Sequence, residues 1–191
     1  MKKQISEQIK SSYQVKHALY QDVEIIGTME RICQSAINVY RRSGKLLIAG
    51  NGGSAADAQH IASELVGRFY RDRPPLPALA LTVDSSIVTS VCNDYGFEEV
   101  FARQIVAYAA PGDMFIAIST SGKSPNILRA LSICREKKII SVGLTGKSGG
   151  EMKSMCDYTI CVPSSDTPRI QECHIMIGHV ICHAVETAIF Q

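Results

Sequence analysis

Two polar loops and a few ligating side chains hold most of the chemistry this sequence can do. Gly50-Asn51-Gly52-Gly53-Ser54-Ala55-Ala56 follows the apolar run Leu46–Ala49. Its glycines let backbone amides approach a ligand closely, and a helix starting there offers its positive N-terminus to an anionic or hydroxyl-rich group. A tight strand-to-helix turn also wants glycine, so this loop alone leaves both readings open. Ser119-Thr120-Ser121-Gly122-Lys123-Ser124-Pro125 follows a second apolar run. Its hydroxyls, its glycine and a proline pre-set for a first helical turn make a cradle for a phosphate ester, with more hydroxyls than a cap requires. Neither loop has the spacing G-x-x-x-x-G-K-[ST] or G-x-G-x-x-G, which favours a small phosphorylated metabolite over a nucleoside triphosphate or dinucleotide.

His60 and Glu64 are four residues apart and share one helix face, a pattern able to hold a divalent metal but also common on solvent faces. Gln59 and Asp57 lie beside them. Further on, Gln171, Glu172, His174, His179 and His183 are set among isoleucines and valine, where polar groups need partners. Glu172 is seven residues from His179 and nearly eclipsed with it, whereas Gln171 is eight away and about 80° off, so spacing ranks Glu172 first. His17, His174 and His183 are read as background. The seven cysteines are odd in number, contain no C-x-x-C and lie mostly in apolar segments, as reduced core thiols do.

The remaining composition is that of an ordinary folded domain. The 191 residues are 46% hydrophobic and carry a formal charge of +2, too little to gather nucleic acid or anionic lipid. The run Ile175–Phe190 is broken by His179, His183 and Glu186 and cannot span a bilayer. The first 20 residues carry four lysines and no apolar core of a signal, so a cytosolic protein is expected.

These groups must be positioned by elements that alternate short apolar runs with amphipathic stretches, the pattern of a parallel sheet flanked by helices. Strands are predicted at Leu46–Ala49, Ala78–Thr82, Met114–Ser119, Ile139–Leu144 and Tyr158–Val162. Helices are predicted at about Ala55–Phe69, Ser85–Cys92, Glu98–Ala109, Pro125–Lys137, Gly150–Met155 and Thr167–Phe190. Residues 1–42 read as a helical extension, with a stripe from Ile25 to Ala36 preceded by a shorter helix around Val15, Ala18 and Leu19. The fold class is α/β: a three-layer α/β/α doubly wound sheet of five parallel strands with N-terminal helices, whose ligand site belongs outside the carboxyl ends of the strands.

Taken together, Ala49 to His60, Ser119 to Asn126, and Thr167-Pro168-Arg169-Ile170-Gln171-Glu172-x-His174 resemble the sugar isomerase (SIS) domain family, over nearly the whole chain. The resemblance is greatest to its heptose-phosphate branch. It implies residues 43–191 as the SIS domain, residues 1–42 as helices used in oligomerisation, and a cytosolic homotetramer with sites at subunit interfaces. The implied reaction converts D-sedoheptulose 7-phosphate to D-glycero-D-manno-heptose 7-phosphate through an enediol, opening the route to ADP- or GDP-heptose for lipopolysaccharide or capsule. Substrate-contacting residues carried over are Asn51, Gly52, Gly53, Glu64, Asn93, Asp94, Ser119, Thr120, Ser121, Ser124 and Gln171. The family's zinc ligands, one ion per subunit, fall on His60, Glu64, Gln171 and His179, which sets Gln171 where spacing prefers Glu172. Glu64 is then the base acting at carbon and His179 its partner acid/base, with Asp57 a secondary residue for activating a hydroxyl or water.

The main rival is a non-catalytic relative of similar length that binds the bacterial replication initiator. The intact serine loop and His179 favour catalysis. A sugar-phosphate sensor would carry an attached DNA-binding segment, and isomerases for arabinose 5-phosphate usually carry extra domains.

Overall fold

Leu46–Gly50 (β1) and Met114–Ile118 (β3) are buried at every position because helices cover both faces of the sheet to which they belong. With Ala78–Ala80 (β2), Ile140–Thr145 (β4) and Tyr158–Cys161 (β5) they form a parallel sheet in the order β2-β1-β3-β4-β5. The protein is described over residues 1–190 by a computed structural model. Its helices are α1 (Lys2–Gln21), α2 (Val23–Arg41), α3 (Gly53–Val66), α4 (Ser85–Tyr95), α5 (Glu99–Tyr108), α6 (Pro125–Lys137), α7 (Met152–Met155) and α8 (Thr167–Ile189).

Strand alternation sorts the core into two layers. Leu46, Ile48, Met114, Ile116 and Ile118 pack with side chains of α2, α3 and α8 on one face. Leu47, Ala49, Phe115 and Ala117 pack with those of α5 and α6 on the other. The doubly wound parallel architecture predicted from the sequence is therefore present.

The strand order has one consequence for function. The chain leaves β1 outward to β2 and then crosses back to β3 on the other side of β1, so β1 and β3 flank the point where winding reverses. Ligands bind at such a point in open α/β sheets. The loops that follow β1 and β3 are the glycine loop and the serine loop.

Several boundaries differ from the predicted ones for identifiable reasons. The first helix is not a short one: α1 has 20 residues, and its only buried side chain is Leu19. Ile5, Ile9 and Tyr13 form an exposed apolar row on it, which a search for a buried stripe passes over. Asp22 ends α1 and caps α2, its carboxylate accepting from the amides of Glu24 and Ile25. α7 begins at Met152 rather than Gly150 because Gly149 and Gly150 have φ of +71° and +54°, outside a right-handed helix. α3 stops at Val66, three residues before the predicted end, and β2 stops at Ala80.

Candidate active site

The glycine loop and α3 form one side of the site. Gly50 must lack a side chain, since a Cβ there would overlap the backbone of Ser54 across the turn. The loop is tied to the next by a reciprocal amide pair: Asn51 Nδ2 donates to Asn126 Oδ1 at 3.0 Å and Asn126 Nδ2 donates to Asn51 Oδ1 at 2.9 Å. Asn126 is fully buried in the first turn of α6, so the pair fixes the glycine loop and the serine loop against one another.

Within the serine loop, the Ser119 hydroxyl lies 2.8 Å from that of Ser124 and 3.4 Å from that of Ser121, whose oxygen also accepts from the Lys123 amide. Three hydroxyls thus converge at the start of α6, where Pro125 has no N–H and the Ile127 amide is already held by Ser124 O and Asn126 Oδ1. The loop is braced from behind. Gly146 N donates to Thr120 O, Met152 N donates to Gly122 O, and Gly122 packs directly on Gly149 and Gly150.

Three side chains able to ligate meet where α3 touches α8. A Cβ on Gly178 would overlap Ile61, so this glycine lets the two helices approach, and their next neighbours, His179 and His60, come together. His60 Nε2 is 3.0 Å from Glu64 Oε1 and 3.1 Å from His179 Nε2. The ligand atoms of His60, Glu64 and His179 all lie within 4.8 Å of one another, forming a group able to hold a metal ion. Two imidazoles and one carboxylate suit zinc at a site that keeps a position open for substrate or water.

Gln171 and Glu172 part company. Glu172 pairs with Arg169 and, at 3.4 Å, with Lys16 of α1, and does not join the group of His60, Glu64 and His179 that spacing sets it toward. Its eclipsed position on the helix carried no information about the cations waiting beside it. Gln171 instead lies against the start of α3, where a Cβ on Gly53 would overlap its amide. Asn93 and Asp94 stand exposed on the last turn of α4 and, among the described residues, bond only to each other, at 2.7 Å.

The other titratable groups differ in kind. His174 is buried, its Nε2 3.2 Å from Thr145 O, and burial pushes its pKa down to about 4 against the weaker pull of that carbonyl. It stays neutral at neutral pH. His183 packs edge-on to Tyr70, and His17 stacks on Tyr13. Among the cysteines, all free, burial raises Cys134, Cys156 and Cys182 to about 12, far above any thiolate chemistry.

Asp57, one turn before His60, has a buried Oδ2 with no hydrogen-bond partner. Burial raises its pKa to about 6, and His60 limits the rise. A raised carboxyl pKa stabilises the fold below the unfolded value of about 4 and loses that contribution as pH climbs through 6. In metal-free protein, Asp57→Asn should therefore raise stability by about 1–2 kcal/mol at pH 7.5, discounted for partial exposure, and by no more than about 0.5 kcal/mol at pH 4. Urea unfolding at the two pH values measures this, and an equal change at both would refute it.

A doubly wound sheet with a hydroxyl-lined loop at the winding reversal and an imidazole–carboxylate cluster between α3 and α8 defines a SIS protein, and residues 13–146 match the SIS domain family. The chain belongs to that family, in its phosphoheptose isomerase branch. It is 59% identical to the phosphoheptose isomerase of Aneurinibacillus thermoaerophilus over 187 residues, covering 98% of this chain and 94% of the relative. It is 55% identical to phosphoheptose isomerase 2 of Campylobacter jejuni, covering 92% and 88%. Among solved structures, the phosphoheptose isomerase from Francisella tularensis superposes with a TM-score of 0.92 at 35% identity, covering 97% of both chains.

Proposed function

We propose that this protein isomerises D-sedoheptulose 7-phosphate to D-glycero-D-manno-heptose 7-phosphate, the opening step toward ADP- or GDP-heptose for lipopolysaccharide or capsule. The observation that carries the reading is the meeting of Glu64 and His179, whose ligand atoms lie within 4.8 Å of one another where α3 touches α8.

Ser119, Thr120, Ser121 and Ser124 hold the phosphate, with Asn51, Gly52 and Gly53 along the sugar. Glu64 takes the proton from C1 while His179 protonates the C2 carbonyl oxygen, giving the enediol. The proton is then returned at C2 as the C1 hydroxyl loses its own, leaving the C1 aldehyde. Asp57, one turn before His60 on α3, is the secondary residue for activating a hydroxyl or water. His60, Glu64, Gln171 and His179 would hold one zinc ion per subunit. Zinc bound there supplies Lewis-acid polarisation of the substrate's oxygens.

The working unit in this reading is a cytosolic homotetramer. The exposed row Ile5, Ile9 and Tyr13 on α1 supports a role for residues 1–42 in association, as a surface a second copy would cover. Exposed Asn93 and Asp94 fit a site completed across an interface. Seven unpaired thiols suit a reducing compartment.

A coupled assay for aldehyde formation from sedoheptulose 7-phosphate, with and without chelator, tests the activity. Turnover that chelator removes and zinc restores is expected; no product with zinc present would hand the case to the replication-initiator-binding reading. Ser121→Ala combined with Ser124→Ala should raise KM at least tenfold with the fold intact, since each lost charge-assisted hydrogen bond to phosphate weakens binding by about 1.5–3 kcal/mol. An unchanged KM would remove the loop from phosphate binding.

A further inference from the structure

Arg73 and Glu186 form an ion pair whose side chains are both only 2% exposed, and nothing in the reaction above uses it. Charges buried this deeply are costly unless every donor and acceptor is matched, and here they are matched to particular backbone groups. Glu186 Oε1 accepts from Arg73 Nε at 3.0 Å and from Phe69 N at 3.2 Å, while Oε2 accepts from Tyr70 N at 2.9 Å and Arg71 N at 3.1 Å. The guanidinium then reaches the other way. Its Nη2 donates to Glu64 O and its Nη1 to Leu65 O, both at 2.8 Å. These are carbonyls of the last turn of α3, which have no helical partner of their own and favour a cation.

The pair therefore bolts the C-terminal end of α3 to α8 through the connecting loop. Glu64 sits on that last turn, and one of the bonds falls on its own carbonyl. Glu186 lies seven residues after His179, two turns along the same face of α8. Phe69, whose amide is held by Glu186, places its ring 5.6 Å from the His179 ring.

We propose that Arg73 and Glu186 are positioning residues that set the distance between Glu64 and His179, the fork of the guanidinium being the gauge. This rests on the acid/base reading of those two residues. The role needs a planar fork that spans Glu186 and two carbonyls at once, which a lysine ammonium cannot do. A displacement of about 1 Å at a reacting group can cost about 100-fold in rate.

The test compares Glu186→Gln, Arg73→Lys and the double variant R73M/E186L, which leaves no orphaned buried charge and so keeps the question open to measurement if either single variant fails to fold. Folded variants are expected to lose 10- to 100-fold in kcat with KM within twofold, Arg73→Lys giving no rescue. Independently of activity, the imidazole ¹H–¹⁵N signals of His60 and His179 should move, while those of His174, on the same helix but held by Thr145, stay in place. If R73M/E186L or Arg73→Lys keeps wild-type kcat and wild-type His60 and His179 signals, the proposal is overturned. If the wild type forms no aldehyde, the isomerase reading fails on its own, and the imidazole signals alone decide whether the pair sets the geometry.

Discussion

Glu64→Gln should lower kcat by roughly 10²–10⁴ while leaving the melting temperature close to that of the wild type. Glutamine keeps the volume and one acceptor oxygen but cannot take a proton from carbon at neutral pH. His179→Gln should act in the same range, because the hydroxyl proton then has no carrier. The two losses should not add: a base and an acid serving one enediol work as a unit, so the double variant should be little worse than the poorer single one. Both residues are also proposed zinc ligands, and zinc content measured on each purified variant separates a lost proton carrier from a lost ion. A folded, zinc-loaded Glu64→Gln enzyme with wild-type turnover would eliminate this mechanism.

The second large effect is expected at Gly122. Its φ is +64°, and a Cβ built there would overlap the Gly149 carbonyl. Left-handed backbone alone costs a non-glycine residue about 1–2 kcal/mol, and relieving the overlap must push the serine loop away from the loop after β4. Gly122→Ala should therefore both destabilise the protein and raise KM, in contrast to the serine variants, which raise KM alone. The comparison tells phosphate chemistry from loop placement. A Gly122→Ala protein with unaltered urea midpoint and KM would show that the interlocked glycines carry no strain.

The loops were legible because their signals are local: glycine where backbone must come close, hydroxyls ahead of a proline, each immediately after an apolar run. The sheet was legible for the same reason, since β1 and β3 read as uninterrupted hydrophobic strands. Partnerships between distant segments were not. Glu172 outranked Gln171 on helical angle, yet Lys16, on another helix, helps draw it away. Glu186 registered only as a break in an apolar stretch; a lone carboxylate among Ile181, Cys182 and Val185 was the available sign that a buried cation must answer it. Asn126 offered a weaker sign, an amide in a helical first turn, and its partner in the glycine loop could not be named from spacing. The length of α1 was missed because its apolar row faces outward.

The glycine contact that brings α3 against α8 also sets a timetable. His60 and His179 are 119 positions apart, and the second belongs to α8. Synthesis proceeds from the N-terminus, so the glycine loop and the serine loop are made before α8, the helix that carries His179. Until α8 docks, His60 and Glu64 stand without His179, and the three-residue group does not exist.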